Sequence, residues 1–90
     1  MEFEWDENKR QSNLAKHGVD FLDAALMFAG PVFTKIDDRQ NYGEVREISL
    51  GKVDGDVYCV THTTRGHRVR LISAWKGGAK DHERYQNSIS

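Results

Sequence analysis

The pattern of apolar residues changes its period at Gly30-Pro31, and this change limits the folds that the chain can adopt. Upstream, apolar residues recur at the spacing of one helix face, which begins after Asp20, a residue type that caps helices. The residues on this face are Phe21, Leu22, Ala25, Leu26, Phe28 and Ala29. Downstream, apolar and polar residues alternate as they do in strands, and the proline ends the helix because it cannot extend the hydrogen-bond ladder. Helices followed by strands favour an α+β fold.

Two further elements are predicted before this helix. Phe3-Glu4-Trp5 alternates apolar with polar residues, which is typical of a short edge strand. Asp6 is placed to cap a helix over residues 7–17, because its carboxylate can accept hydrogen bonds from the free amides of the first turn. Gly18 can take the left-handed conformation that ends such a helix.

Four strands and a final helix are predicted after Gly30-Pro31. The strands cover residues 32–36, 45–53, 57–64 and 68–75, with a loop at 37–44 and a short helix at 79–86. Asp54-Gly55 is typical of a type I′ hairpin turn, in which both central residues need positive φ. Arg65-Gly66-His67 is predicted as the next turn.

The predicted order is therefore β-α-α-β-β-β-β-α, in one domain over residues 1–90. Because short turns join the later strands, we expect a small antiparallel sheet. The two N-terminal helices are expected to pack on one face of this sheet. The other face is then left for solvent or for a ligand.

Charge is distributed unevenly along the chain, although the net charge is only -1. Residues 1–56 contain seven Lys/Arg and twelve Asp/Glu, whereas residues 57–90 contain six Lys/Arg and two Asp/Glu. A local positive field, rather than the total charge, attracts a polyanion such as RNA. The same distribution fits a dipolar surface without a partner, and charge alone leaves both interpretations open.

A cationic patch is predicted on the open face of the sheet. In a regular strand Arg68 and Arg70 point to one side, while Val69 and Leu71 point to the other. His62 lies on the neighbouring strand, and Arg46 joins the patch from the strand beyond if the register allows. Arginine pairs with phosphate oxygens in two-point fashion, and histidine can carry a proton near neutral pH. RNA cleavage without a metal needs such groups, namely a base, an acid and cations around the phosphorus.

Each of these residues also has a purely structural interpretation. The arginines can form a solvated sheet face, and His62 can be an ordinary strand residue. His17 can cap the first helix, since a cation is favourable at a helix C-terminus. On the last helix, Lys80 and Arg84 are either surface charges or bind phosphate. Tyr85 of the same helix either packs in the core or supplies a hydroxyl near the patch. The residues predicted for the core are Trp5, Phe21, Phe28 and Cys59.

The sequence predicts no metal, no cofactor and no membrane segment. His62 and His67 are five residues apart across a turn, without the Cys or Asp cluster that a zinc site needs. No apolar run is long enough to cross a bilayer, and no signal peptide is recognised. With Cys59 as the single cysteine, these features favour a cytoplasmic location.

Short motifs along nearly the whole chain resemble those of the BrnT family of toxins. Asn13 to Val19 is similar to the N-x-x-K-H-G-V signature of that family, which follows an F-E-W-D opening at residues 3–6. The later matches are Gly43-Glu44-x-Arg46, His62-Thr63-x-Arg65-Gly66, Arg68-x-Arg70-x-Ile72-Ser73-Ala74 and the tail Glu83-Arg84-Tyr85. In the tail, the tyrosine comes one or two places earlier than in the family pattern.

The resemblance implies a RelE-like fold and an endoribonuclease that arrests translation. It implies a BrnA-type ribbon-helix-helix antitoxin as partner, in a heterotetramer of two toxins and two antitoxins that contacts operator DNA through the antitoxin. The catalytic candidates are Arg46, His62, Arg65, Arg70 and Trp75, and the candidates for RNA binding are Arg68, Lys76, Lys80, Arg84 and Tyr85.

Trp75 is a departure from the family pattern, which has arginine after I-S-A. A neutral ring in place of a cation is expected to weaken or abolish cleavage, or to stack on an RNA base. The alternative function is therefore a non-catalytic module that acts only as the antitoxin-bound half of a repressor complex.

Overall fold

The computed structural model describes residues 1–89 and has the α+β architecture that the sequence predicts. The strands are β1 (Glu2–Glu4), β2 (Phe33–Ile36), β3 (Glu47–Val53), β4 (Asp56–Arg65) and β5 (Arg68–Lys76). The α-helices are α1 (Glu7–His17), α2 (Phe21–Ala24) and α3 (Ala79–Ile89), and a 3-10 helix covers Ala25–Ala29. Within residues 1–89, no helix is sufficiently long and apolar to span a membrane.

The sheet is mixed, so the prediction of a purely antiparallel sheet is wrong. Its strand order is β1-β5-β4-β3-β2, and β1 runs parallel to β5 with Glu2 opposite Arg68 and Glu4 opposite Arg70. The other neighbouring strands are antiparallel. Two strands that are joined by a short turn have to run antiparallel. Strands β1 and β5 are separated by most of the chain, so they can pair in either direction.

Helix α1 begins and ends at the predicted residues. The Asp6 carboxylate accepts hydrogen bonds from the amides of Asn8 and Lys9, at 2.8 and 3.4 Å. At the other end, Gly18 has φ of 70° and its N–H donates to the carbonyl of Leu14 at 2.9 Å. Both caps satisfy backbone groups that would otherwise lack partners.

The second predicted helix is shorter than expected and continues as the 3-10 helix. Its buried residues are Phe21, Ala24 and Met27, three positions apart, whereas Leu22 and Leu26 of the predicted apolar face are 55% and 60% exposed. A 3-10 helix has three residues per turn, so this spacing keeps Met27 on the buried side. The predicted helix therefore exists, and Phe21, Ala25 and Phe28 of its predicted apolar face pack in or against the first core. The assignment is wrong for Leu22, Leu26 and Ala29, which are exposed, and it omitted Ala24 and Met27.

Both faces of the sheet carry a core, so the prediction of one open face is wrong in part. One cluster joins the first helices to the strands through Val19, Phe21, Ala24, Met27, Val60, Leu71 and Ala74. The second cluster lies on the other face, where Tyr85 of α3 packs with Ile48, Leu50, Val57 and Cys59. The loop between β2 and β3 also reaches this second face, because Thr63 donates to the carbonyl of Val45 at 2.7 Å. The end of the second face near β1 remains accessible, and Arg65 and Arg68 are exposed there.

A bulge in β5 changes which side chains face each core. Thr61 is opposite Ser73, but His62 is opposite Leu71, so Ile72 is an extra residue without a register partner in β4. Side chains of β5 alternate between the two faces of the sheet, and this alternation shifts by one position at Ile72. As a result Leu71 and Ala74 share the first core, while Trp75 packs against the second.

Candidate functional site

Two of the predicted arginines lie on the second face and contact acidic residues of β1. Arg70 donates to the Glu4 carboxylate at 3.2 Å, and both side chains are about one-quarter exposed. Nearer the β4–β5 turn, the Arg68 guanidinium lies 3.4 Å from Glu2. The parallel register of β1 and β5 creates both pairs, since it places each glutamate opposite an arginine.

Two further predicted arginines, Arg46 and Arg65, share one carboxylate. Glu44 lies 3.3 Å from Arg46 and 3.9 Å from Arg65. Thr63 connects this group to Arg70, because it is the register partner of Arg70 and is hydrogen-bonded to Val45. We call these residues the arginine–glutamate cluster, which comprises Glu4, Glu44, Arg46, Arg65 and Arg70.

Stacking holds the Arg46 side chain in place within this cluster. Its guanidinium lies 4.1 Å from the centre of the Tyr42 ring, in a cation–π contact. With the carboxylate of Glu44 on the same guanidinium, the side chain is fixed by two independent contacts. Sequence reasoning did not assign a role to Glu4 or Glu44, although Glu44 belongs to the G-E-x-R motif.

His62 lies on the opposite face of the sheet from the arginine–glutamate cluster. It is 5% exposed, its ring meets Phe28 edge-on with centroids 5.4 Å apart, and its Nε2 is 2.7 Å from the Ser49 hydroxyl. Its Nδ1 has no hydrogen-bond partner among the described residues. Burial lowers the pKa of His62, while the carboxylate of Glu47 opposes this shift. The structure therefore does not bring His62 together with the arginines.

The contact between Ser49 and His62 is a serine–histidine pair that the sequence did not indicate. Ser49 is fully buried, and its hydroxyl also lies 2.6 Å from that of Thr34. A nucleophile must be reachable by its substrate, so this pair is part of the core and not a catalytic dyad.

Trp75 borders a pocket of about 330 Å³ at the β5 edge of the sheet, where α1 lies next to this strand. We call it the Trp75 pocket; its lining residues are Lys16, His17, Arg39, Ser73 and Trp75. The rings of His17 and Trp75 lie 6.2 Å apart, centre to centre, at an angle of 40°. From the sequence, His17 was expected to cap α1. No functional role was predicted for Arg39 or for Lys16, although Lys16 belongs to the N-x-x-K-H-G-V motif.

Arg39 is positioned in this pocket by a buried carboxylate. It donates to Asp37 through Nε at 2.7 Å and through Nη2 at 2.9 Å, and Tyr42 donates to the same carboxylate at 3.1 Å. The hydrogen bonds from Arg39 lower the pKa of Asp37 to about 2. The Arg39 side chain remains 60% exposed, so part of it is available to a ligand.

The remaining predicted RNA-binding residues are distributed over other parts of the surface and core. Tyr85 is 2% exposed and its hydroxyl donates to the carbonyl of Pro31 at 2.8 Å, which leaves it inaccessible to RNA. Lys76 forms an ion pair with Asp56 at 3.2 Å. Lys80 and Arg84 are exposed on α3, which packs on β2, β3 and β4.

The described residues do not include three or more His, Cys, Asp or Glu side chains grouped to hold a metal ion. Cys59 is buried as predicted, and burial raises the pKa of its thiol to about 12. A thiol with so high a pKa is a weak nucleophile at neutral pH.

The fold and these two sites define a small α+β protein whose arginines are paired with carboxylates at one end of a sheet. A family model described as "Ribonuclease toxin, BrnT, of type II toxin-antitoxin system" matches residues 5–81 of the 90. The chain belongs to this family, as its motifs predicted, and a type II toxin implies an antitoxin partner. No curated protein matches the chain.

Proposed function

We propose that this toxin is an endoribonuclease that cuts single-stranded RNA at the arginine–glutamate cluster without a metal ion and so arrests translation. The observation that carries the proposal is the shared carboxylate of Glu44, which lies between Arg46 and Arg65 next to the Glu4–Arg70 pair. Of the residues in the cluster, Glu44, Arg46, Arg65 and Arg70 lie in the range matched by the ribonuclease family.

The chemistry of RNA cleavage fits this combination of groups. A base takes the proton of the ribose 2′-hydroxyl, the 2′ oxygen bonds to phosphorus, and the bond to the 5′ oxygen breaks as that oxygen gains a proton from a water molecule. We propose Glu44 as the base. Arg46, Arg65 and Arg70 would stabilise the negative charge that develops on the phosphoryl oxygens.

We propose a supporting role for His62 in place of the predicted proton transfer. Its ring is buried against Phe28 behind the sheet, and the pair with Ser49 occupies its Nε2. A general base must come within hydrogen-bond reach of the proton that it takes, and this position is far from any RNA on the opposite face.

Cleavage of a labelled single-stranded RNA in the presence of EDTA tests the proposal. We expect R70A and E44Q each to reduce the rate about 100-fold or more, which is the usual effect of removing a group that stabilises a transition state. Lys35 provides the control, because it is exposed on β2 at the far edge of the sheet, and K35A should leave the rate unchanged. R70A should also leave the unfolding free energy within about 1 kcal/mol of wild type, because the ion pair is partly exposed.

Two results would contradict the proposal. Cleavage that needs an added divalent metal would exclude the metal-free mechanism. Unfolding of R70A would make Arg70 a structural residue and would remove it from the proposed site.

Trp75 is proposed to attenuate this activity. An arginine at this position, as the family pattern has, could neutralise phosphate charge, whereas an indole ring cannot. We therefore expect W75R to cleave RNA faster than the wild-type chain. A W75R variant that cuts no faster would show that Trp75 is tolerated without loss.

A non-catalytic role as the antitoxin-bound subunit of a repressor is the second candidate function. The observation that favours it is that four of the predicted site arginines already contact a glutamate in the free chain, namely Arg46, Arg65, Arg68 and Arg70. It predicts tight binding to the antitoxin, with no RNA cleavage by either the wild-type chain or W75R.

The proposed partner is a BrnA-type ribbon-helix-helix antitoxin in the cytoplasm, in a complex of two toxins and two antitoxins. It would bind operator DNA and would block the cluster by covering it and neutralising its charge. A purified complex that cuts RNA as fast as the free toxin would contradict this.

A further inference from the structure

The Trp75 pocket combines the two chemical groups that bind a nucleotide, namely cations and an aromatic ring. Lys16 and Arg39 approach it from α1 and from the loop after β2, and Trp75 and Ser73 approach it from β5. Aromatic side chains stack with RNA bases of any sequence, and basic side chains bind the phosphates between them. This combination is typical of single-stranded nucleic acid sites.

Within the part of the chain that the structure describes, the pocket contains a lysine outside any ion pair, whereas every arginine of the arginine–glutamate cluster is in one. Among residues 1–89, Lys16 makes no ion pair, whereas Arg46, Arg65 and Arg70 each contact a glutamate. Arg39 is paired with Asp37, but that carboxylate is buried and the guanidinium is largely exposed. A phosphate can therefore pair with Lys16 without first displacing a carboxylate, whereas at the cluster it has to compete with Glu4 and Glu44.

A second hollow extends the pocket along α1. It measures about 220 Å³ and shares Lys16, His17 and Ser73 with the Trp75 pocket. Lys9 lines its other part and, within residues 1–89, also makes no ion pair. Lys9 and Lys16 are seven residues apart, which places them about 10 Å apart along the helix axis. The two hollows together form a groove with Lys9 at one end, Arg39 at the other and Lys16 between them.

We propose that the Trp75 pocket binds one nucleotide of a single-stranded RNA, with the base on Trp75 and a phosphate held by Lys16 and Arg39. The proposal rests on the ribonuclease function and gives it a substrate-binding subsite outside the cluster. It also assigns a role to the departure at position 75, since a tryptophan can stack on a base while an arginine would bind phosphate. The chain would then bind RNA more firmly but cut it more slowly than a relative with arginine there.

Binding of a short RNA that cannot be cleaved tests this subsite separately from catalysis. The probe is a fluorescent single-stranded oligonucleotide with 2′-O-methyl riboses, which lack the attacking hydroxyl, titrated with the full chain at several salt concentrations. We expect K16A to weaken binding about tenfold and W75L to weaken it about fivefold or more, the effects of one charged contact and of one stacked base. The slope of log affinity against log salt should become about 0.7 less steep for K16A and should not change for W75L.

Control variants separate the subsite from general charge and from folding. K35A removes a lysine from β2, at the far edge of the sheet, and should change the affinity less than about twofold. W75Y keeps an aromatic ring and should restore most of the affinity that W75L loses. Thermal unfolding of each variant shows whether the loss of Trp75, which packs against the second core, has changed the fold.

The outcomes distinguish this proposal from the ribonuclease function. Equal weakening by K16A and K35A, or an unchanged affinity for W75L, would overturn the subsite even if the chain cleaves RNA. Selective weakening by K16A and W75L supports the subsite even if an RNA with free 2′-hydroxyls is not cut. If these variants bind RNA normally but lose binding to the antitoxin, the pocket is a protein-binding site and the proposal is wrong.

Discussion

Asn13 shows how one side chain completes the sheet at its edge. Beyond the short strand β1, the backbone of β5 lacks a neighbouring strand, and Asn13 takes that place. Its Nδ2 donates to the carbonyl of Ala74 at 2.7 Å, and its Oδ1 accepts from the amide of Ala74 at 3.0 Å. It also donates to the carbonyl of Val19 at 3.0 Å. A single asparagine thus connects α1, the turn that follows it and β5.

Replacing Asn13 by alanine is expected to destabilise the fold strongly. The change leaves three backbone groups without partners, and each buried group of this kind costs about 1 kcal/mol or more. We expect N13A to reduce the unfolding free energy by about 2–3 kcal/mol in urea titrations. N8A, on the exposed part of the same helix, is the control and should stay within about 0.5 kcal/mol of wild type. An N13A protein as stable as N8A would show that water satisfies these groups.

The position of His62 was not predictable because it depends on a one-residue difference in a turn. The sequence predicts a three-residue turn at residues 65–67, which would place His62 opposite Arg70 on one face. In the structure Arg65 is opposite Arg68, so the turn has two residues and His62 is opposite Leu71. A register shift of one residue moves every side chain to the other face of a strand. The sequence therefore identified His62 as a candidate by its residue type, but it did not predict on which face of the sheet His62 lies.

His62 is expected to make stability depend on pH in the mildly acidic range. Burial lowers its pKa in the folded chain, so the unfolded chain binds the proton more readily. The unfolding free energy should then fall as the pH drops below about 6.5, the ordinary pKa of histidine. Between pH 7.5 and 5.5, we expect the wild-type chain to lose about 1 kcal/mol more than H62Q, which does not titrate there. Parallel pH profiles for the two proteins would show that His62 is not the group responsible.

At the scale of elements, the helix before Gly30-Pro31 shows what the sequence pattern can and cannot determine. The cap at Asp20 and the end at Gly30 follow from local chemistry and were predicted correctly. The 3-10 helix packs against β3, which is distant in sequence. A methyl group at Gly51 would lie 2.9 Å from the Cβ of Met27, so the two elements pack with almost no space between them. Spacing along the helix cannot reveal such a contact.

A substitution at Gly51 tests this close packing. G51A places a methyl group against the Cβ, Cγ and Sδ of Met27, and the Cβ cannot move without the helix backbone. We expect G51A to reduce the unfolding free energy by about 1–3 kcal/mol, the usual cost of overpacking a core. G30A is the matched control, because its methyl group would approach the same residue at an ordinary 4.0 Å. Equal unfolding midpoints for the two variants would mean that the helix can shift away from β3.

On the scale of the whole molecule, the fold cancels the charge separation that the sequence shows. The N-terminal part is rich in acids and the C-terminal part in bases, yet β1 and β5 lie side by side. Glu2 and Glu4 therefore meet Arg68 and Arg70 on the same face. The sequence predicted that the arginines share a region, but not that β1 would neutralise them. This neutralisation depends on the pairing of β1 with β5, two strands far apart in the chain, and no local sequence pattern predicts that pairing.

If this cancellation limits RNA binding, removing the acids of β1 should strengthen it. We expect the double variant E2Q/E4Q to bind the 2′-O-methyl RNA about three- to tenfold more tightly, with a steeper salt dependence, because two arginines become available to phosphates. D23N/D54N has the same net charge, but its two changes lie on α2 and in the β3–β4 turn, away from the arginines. A general effect of charge would strengthen both variants equally, whereas a local one strengthens E2Q/E4Q alone. The first result would mean that RNA responds to the total charge of the toxin, and the second that β1 regulates access to the arginine face.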